Sequence, residues 1–212
     1  MSYFSEIEYR AKTGETELWF DRLYFNRWFP NAKGPILDIG CATGNFIALN
    51  PEIIEGVDID DDSLEIAKKR GFRVRKINAQ QGLMELAENY YEGIYAKHVI
   101  EHLPDALNLL QHSKRILKPG GKAIILTPNW PYMLSRAFYD DYTHLHPFTA
   151  KSLHMAAFDA GFSQVKITED FRCFPGLGRI MRFTKMSPEI VAKIQRCLGW
   201  HGLSLILEVT KD

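Results

Sequence analysis

From residue 34 onward the chain alternates two kinds of hydrophobic pattern. Short apolar runs bounded by glycine, proline or polar residues read as buried strands at 35–39, 53–57, 72–77, 93–99, 122–127, 163–168 and 203–209. Between them lie segments whose apolar residues recur every three or four positions. The clearest is 104–117, where Leu103, Leu107, Leu110 and Leu117 share one face and Pro119-Gly120-Gly121 ends the helix. Segment 63–70 has acids at its start, Lys68, Lys69 and Arg70 in its last turn and Gly71 as a stop, the charge order a helix dipole favours. Segment 149–160, closed by Gly161, is a further helix, 83–89 a weak one, and a short one is predicted to begin near Gly44. This alternation predicts an α/β fold, with helices packed on both faces of a mostly parallel sheet.

Ahead of that core, Leu18, Trp19, Leu23, Trp28 and Phe29 include helix-like spacings. They predict one or two aromatic-rich helices in 1–33, either packed on the sheet or closing over its functional edge. A long insert, 172–202, separates the last two strands. With no repeat, low-complexity tract or linker, 1–212 reads as a single domain carrying an N-terminal helical cap and this insert.

Composition adds mostly exclusions. The 212 residues are 46% hydrophobic and 25% charged, as in ordinary globular proteins. A formal net charge of zero argues against a dedicated nucleic-acid binder. The first residues lack a basic segment followed by an apolar run, and no apolar stretch reaches the roughly 18 to 20 residues of a membrane span. Cys41, Cys173 and Cys197 are odd in number and far apart, which speaks against a disulfide scaffold and for a reducing cytoplasm. The insert departs from neutrality: Arg172, Arg179, Arg182, Lys185, Lys193 and Arg196 stand against Glu189 alone. It is either a solvated helix face or an attractor for an anionic substrate or surface.

The chemistry concentrates at Ile36-Leu37-Asp38-Ile39-Gly40-Cys41-Ala42-Thr43-Gly44-Asn45-Phe46, a strand running into a turn of small residues. Small residues let a ligand approach the backbone closely, and open parallel sheets bind ligands at the carboxyl ends of their strands. Asp58 ends the next strand, 20 residues after Asp38, where an acid accepts hydrogen bonds from ribose hydroxyls. A dinucleotide fingerprint would be Gly-x-Gly-x-x-Gly. Here Ala42 takes the middle position and Phe46 lies near the third, while Asp38, just before the turn, suits an ammonium group better than a pyrophosphate.

These residues resemble the class I S-adenosylmethionine-dependent methyltransferases. Residues 36–44 are similar to that family's first motif and Gly56-Val57-Asp58-Ile59-Asp60 to its second-strand motif. Asn78-Ala79 falls where members carry Asp-Ala, Glu101-His102-Leu103-Pro104 resembles the Glu-His-Leu segment, and Arg115-Ile116-Leu117-Lys118-Pro119-Gly120-Gly121 the helix-to-fifth-strand motif. The resemblance spans about 34–170. It implies a Rossmann-like, doubly wound sheet of seven strands ordered 3-2-1-4-5-7-6, the seventh antiparallel, with S-adenosylmethionine as cofactor. It further implies that Gly40, Cys41 and Gly44 line the methionine part and that Asp38 holds the turn or the amino group. Asp58 would bind the ribose, Ile59 pack on the adenine, Asn78 and Ala79 meet its edge, and Lys97 and His98 lie near the sulfonium. Ala42 in place of glycine and Asn78 in place of aspartate are departures; the asparagine oxygen still accepts a hydrogen bond.

Methyl transfer to a hydroxyl or amine can call for a general base, and histidine is the natural one near neutral pH. Candidates are His98 and His102 beside Glu101, and His144 in Asp141-Tyr142-Thr143-His144, which resembles an Asp-x-Thr-His segment of small-molecule and sugar-directed members. Each could instead order its loop. His98, Glu101 and His102 with His144 or His146 also offer metal ligands, but His98 stands where metal-using members carry glutamate, and no metal is assigned. Trp130, Tyr132, Phe138, Tyr139 and Tyr142 form either an acceptor pocket or packing beneath a loop. The expected function is methyl transfer to the oxygen or nitrogen of a small molecule, anionic, aromatic or sugar-like. The alternatives are a nicotinamide-dependent oxidoreductase and a non-catalytic module that binds the nucleoside.

Overall fold

A computed structural model describes residues 14–132, 138–170, 181, 183–184 and 186–212. Its strands are β1 (Ile36–Ile39), β2 (Ile54–Asp58), β3 (Val74–Lys76), β4 (Tyr91–Lys97), β5 (Leu117–Pro128), β6 (Gln164–Glu169) and β7 (Ser204–Thr210). They form one sheet in the order β3-β2-β1-β4-β5-β7-β6. β1 to β5 pair in parallel, and β7 runs antiparallel between β5 and β6. Order and strand sense are those the sequence led us to expect.

The sheet is covered on both faces, which explains its unbroken apolar runs. On one face Phe20, Tyr24 and Trp28 of α1 (Gly14–Trp28), Leu64 of α2 (Asp61–Lys69) and Val191 of α5 (Pro188–Cys197) pack with Ile36, Tyr95, Ile124 and Ile206. On the other, Leu109, Leu110 and Ile116 of α3 (Ala106–Ile116) and Leu153 and Ala157 of α4 (Ala150–Asp159) meet Leu37, Ile39, Ile94 and Ile125. The short edge strand β3 carries exposed Arg75 and Lys76, and β6 exposes Gln164, Lys166 and Glu169, which discourages further strand pairing.

Side-chain caps set the helix starts. Asp60 accepts from Ser63 N at 2.8 Å, Asp105 from Asn108 N at 3.0 Å, and Thr149 and Ser152 form a reciprocal capping box. Three expectations change. The helix expected near Gly44 is only a 3-10 turn, Ile47–Leu49; Asn50, which precedes Pro51, leaves the helical region at φ −157° and ψ 81°. The weak helix of 83–89 shrinks to the 3-10 turn Gly82–Glu85. Leu103 and Leu117, counted on the face of 104–117, lie outside α3: Leu103 packs on the core ahead of the Asp105 cap, and Leu117 already opens β5.

The aromatic N-terminal segment packs against the sheet as α1, and residues 1–13 lie outside the described chain. Its Tyr24 hydroxyl donates to Asp170 Oδ1 at 2.9 Å, both groups buried, and so ties α1 to the end of β6. Tyr24→Phe removes one buried hydrogen bond from that carboxylate. It should lower unfolding stability by about 1–3 kcal/mol, read as a shifted urea midpoint; an unchanged midpoint would refute the assignment.

Candidate active site

β1 leads into a turn whose backbone is left-handed at Gly40 (φ +74°), Ala42 (φ +44°) and Gly44 (φ +83°). A Cβ on Gly40 would stand 2.4 Å from Val99 Cγ2, and one on Gly44 2.5 Å from the Phe72 ring. Conformation and space therefore both demand glycine there. Ala42 adopts the same region at a cost on the order of 1 kcal/mol, offset because its N–H donates to Asp58 Oδ2 at 2.8 Å. Gly40 N and Cys41 N both donate to Val57 O, at 2.8 and 3.1 Å.

Asp58 Oδ1 also accepts from Ile59 N at 2.7 Å and Asp60 N at 2.9 Å. The bracing of the turn thus falls to Asp58, which commits three of roughly four acceptor positions to backbone. Ile59 beside it is 61% exposed, an apolar platform at the sheet edge. Asn78 Oδ1 accepts from Gln80 N at 2.8 Å and shapes its own turn, while Ala79 is half-buried against the core. An open glycine backbone, a carboxylate with capacity left and an exposed apolar face fit the nucleoside implied by the sequence.

Beneath the turn lies a buried charge cluster. Lys97 Nζ, at the end of β4, sits 3.2 Å from Asp21 Oδ1 of α1, and the Tyr95 hydroxyl donates to the same oxygen at 3.4 Å. Asp38 is only 4% exposed. Burial pushes its carboxyl well above the ordinary range, the charges of Asp21 and Asp58 add to that, and Lys97 opposes it. Burial and the charges of Asp38 and Asp58 push the Cys41 thiol up as well, which disfavours its thiolate. Asp21 escaped the sequence reading. Its signal is an acid spaced three and seven residues from Tyr24 and Trp28, on the packed face of an aromatic helix.

The histidines gather where β4 and β5 end. His98 adopts φ +57° and its N–H donates to Leu126 O at 2.9 Å. Its Nδ1 lies 3.1 Å from Glu101 Oε1, a fully buried carboxylate that also accepts from Thr127 Oγ1 at 3.1 Å. Glu101 O accepts from Leu145 N and His146 N, at 2.8 and 3.1 Å, pinning the second histidine loop to the first. His102 Nδ1 is 2.8 Å from Thr143 Oγ1, whose own proton goes to Asp141 Oδ1 at 2.6 Å. His144 Nδ1 is 2.7 Å from Phe138 O.

A carboxylate, a hydroxyl that has spent its proton and a carbonyl can only accept. In its neutral form each of the three rings therefore carries its proton on Nδ1 and its lone pair on Nε2; the His144 Nε2 lies 3.8 Å from Asp141 Oδ2. Burial disfavours ionised Asp141, yet its Thr143 hydrogen bonds and the charges of His144 and His102 hold it below the usual range. The His102 and His144 rings are 4.6 Å apart, and Glu101, His102 and His144 each bring one ligand atom within 4.8 Å of the others. His98 and His146 lie outside that trio. Thr127, Asp141 and Thr143, which orient the histidines, were not singled out as such from the sequence.

The aromatic segment divides. Phe138 is buried under His144, with ring centroids 4.5 Å apart, whereas Tyr139 and Tyr142 are exposed. Tyr132 stacks on His201 at 3.5 Å, and the buried Trp130 Nε1 has no hydrogen-bond partner among the described residues. Of the basic insert, Lys193 is exposed; Arg172, Cys173, Arg179, Arg182 and Lys185 lie outside the described residues, as does the Arg196 side chain.

Residues 9–167 match a family described as a methyltransferase domain. A solved S-adenosylmethionine-dependent methyltransferase from Archaeoglobus fulgidus is 26% identical, with a TM-score of 0.71, covering 96% of this chain and 99% of that one. The demethylmenaquinone methyltransferase of Oceanobacillus iheyensis is 26% identical, over 66% of this chain and 63% of its own length. The ubiquinone biosynthesis O-methyltransferase of Nitrosomonas europaea is 29% identical, over 44% and 43%. The family match decides between the sulfonium nucleoside and the dinucleotide, in favour of the first.

The buried Asp38 gives a pH signature. Burial favours the protonated form of Asp38 in the free protein, and a cationic amino group placed beside it would favour the ionised form. The complex then binds fewer protons, so affinity rises with pH. Titration calorimetry with S-adenosylhomocysteine in buffers of different ionisation enthalpy should detect proton release, and Asp38→Asn should abolish it and weaken binding by about tenfold or more. Equal proton release by the variant would refute this.

Proposed function

The chain belongs to the class I S-adenosylmethionine-dependent methyltransferase family, and from that premise we propose that it methylates an oxygen or nitrogen of a small-molecule acceptor, with a histidine at the acceptor. The observation that carries the reading is the gathering of His98, His102 and His144 at the ends of β4 and β5, each with its Nδ1 against an acceptor. S-adenosylmethionine, when bound, supplies a methyl group already activated on a cationic sulfonium.

The protein's own work is then alignment, exclusion of water and removal of the acceptor's proton. In this reading Gly40, Cys41 and Gly44 line the methionine part, and Asp38 faces its amino group. Asp58 spends its remaining acceptor capacity on the ribose, Ile59 packs under the adenine, and Asn78 and Ala79 border its edge. Lys97, held by Asp21, contributes the cluster's compensating positive charge. His98 is the foremost base, because buried Glu101 both orients its ring and stabilises the imidazolium that forms on proton uptake. His144 faces the acceptor from the opposite loop, with His102 beside it. The expected acceptor is a ring-bearing or anionic small molecule. The relatives named for menaquinone and ubiquinone chemistry support the same class.

A second reading is favoured by the trio Glu101, His102 and His144: two nitrogens and one carboxylate suit zinc better than magnesium. Chelator treatment that abolishes transfer, with rescue by zinc, would favour it; the histidine-base reading expects no effect of chelation. Cytoplasmic residence accords with the free thiols of Cys41 and Cys197, and no helix among the described residues is long and apolar enough to cross a membrane.

The test pairs labelled S-adenosylmethionine with a broad acceptor panel. With the acceptor found, His98→Ala and Glu101→Gln should each lower kcat by about 100-fold or more, leaving S-adenosylhomocysteine affinity unchanged. Full turnover in His98→Ala would remove it as the base. Cofactor binding without transfer to any acceptor would point to a binding module.

A further inference from the structure

On the reading that the 40–44 turn receives the methionine part of the cofactor, we infer that Lys97 takes the carboxylate of that part and that Asp21 of α1 is the positioning residue that holds Lys97 for it. The register of the sheet brings Lys97 to the turn. Ile39 of β1 lies opposite Ala96 of β4, so Lys97, the next residue, ends β4 beside Gly40. Side chains alternate along a strand, which puts Lys97 on the same face as Tyr95, the face that α1 covers. Asp21 meets both: Lys97 Nζ stands 3.2 Å from Asp21 Oδ1, and the Tyr95 hydroxyl donates to the same oxygen at 3.4 Å. Phe20 and Tyr24, on the same turn of α1, are core residues, so the Asp21 carboxylate is delivered from a helix seated on the sheet.

Charge determines what Lys97 can meet. A methionine part brings an ammonium, a carboxylate and, in the reactive cofactor, a sulfonium. The ammonium suits Asp38. The carboxylate, arriving among Asp21, Asp38 and Asp58, is repelled unless a cation meets it. A lysine near a sulfonium is likewise repelled unless an anion of the same ligand lies against it. Pairing of the carboxylate with Lys97 satisfies both conditions. The Lys97 side chain is 18% exposed and that of Asp21 7%, so salt and water screen the pairing weakly. An ammonium has three donors, of which Asp21 takes one. A lysine already held at its tip loses less conformational freedom when the ligand arrives. Arg70 is a rival cation at the turn, but it donates to Thr43 O at 2.6 Å and to Asn45 Oδ1 at 3.0 Å and so braces the backbone.

Titration calorimetry with two ligands tests it: S-adenosylhomocysteine and its decarboxylated analogue, which keeps the adenosine and the amine. The wild type should prefer S-adenosylhomocysteine by about tenfold or more. Lys97→Met should erase that preference by weakening S-adenosylhomocysteine alone, with the analogue bound as well as before or better; a merely structural lysine would weaken both alike. Lys97→Arg, which keeps the charge, should retain part of the preference. Asp21→Asn should cost S-adenosylhomocysteine about threefold in the wild-type background and nothing further on top of Lys97→Met. That double variant removes both members of the buried pair, and it carries the test if Lys97→Met alone, which strands Asp21, fails to fold. Equal binding of the two ligands by the wild type, or a preference that survives in the double variant, would overturn the assignment of Lys97. So would a preference lost in Arg70→Gln and kept in Lys97→Met. An equal cost of Asp21→Asn in both backgrounds would overturn the role of Asp21. Binding of neither ligand would overturn the cofactor reading of the turn as well, which separates the two failures.

Discussion

The Asp58 carboxylate joins the end of β2 to the turn that follows β1, and the ligand edge is built outward from that contact. Without its hydrogen bond to Ala42 N, a non-glycine residue in a left-handed conformation would have nothing to offset its strain. The same carboxylate gathers Ile59 N and Asp60 N, which sets the entry to α2, where Asp60 caps Ser63. One acid thus closes the glycine turn, exposes Ile59 and starts a helix.

The buried acids around it follow a common logic. Asp21 meets Lys97 and Tyr95, Glu101 meets His98 and Thr127, and Asp170 meets Tyr24. Burying a carboxylate is costly unless it is paired or hydrogen-bonded. These acids lie on the helical cap α1 and at or just beyond the carboxyl ends of strands, so that cost is concentrated where chemistry takes place. Asp38 differs: the charges of Asp21 and Asp58 press against it while Lys97 opposes them.

Asp170 also connects regions far apart in sequence. Its carboxylate takes the Tyr24 hydroxyl from α1, its backbone oxygen takes Gln195 Nε2 from α5, and its N–H donates to Ser204 O of β7. The N-terminal cap over the charge cluster and α5 therefore share one anchor.

Much of the fold was legible in the sequence because its causes are local or periodic. Strands covered on both faces must be continuously apolar, so Ile36, Leu37 and Ile39 announced β1. The spacing of Asp38, Gly40, Gly44 and Asp58 marked a nucleoside edge, since only small residues leave room at the turn. The family resemblance supplied the strand order, which periodicity alone leaves open. What the sequence left undecided depends on neighbours distant along the chain. Asp21 matters only because α1 lies over β4, and Asp58 braces the turn only because β2 ends beside Ala42. The orientation of each histidine ring follows from acceptors on Glu101, Thr143 and Phe138, partners that a linear pattern does not reveal. Residue types and their spacing determined which elements form and which chemistry is on offer; tertiary packing decided which acid meets which base, because hydrogen bonds and desolvation act through space.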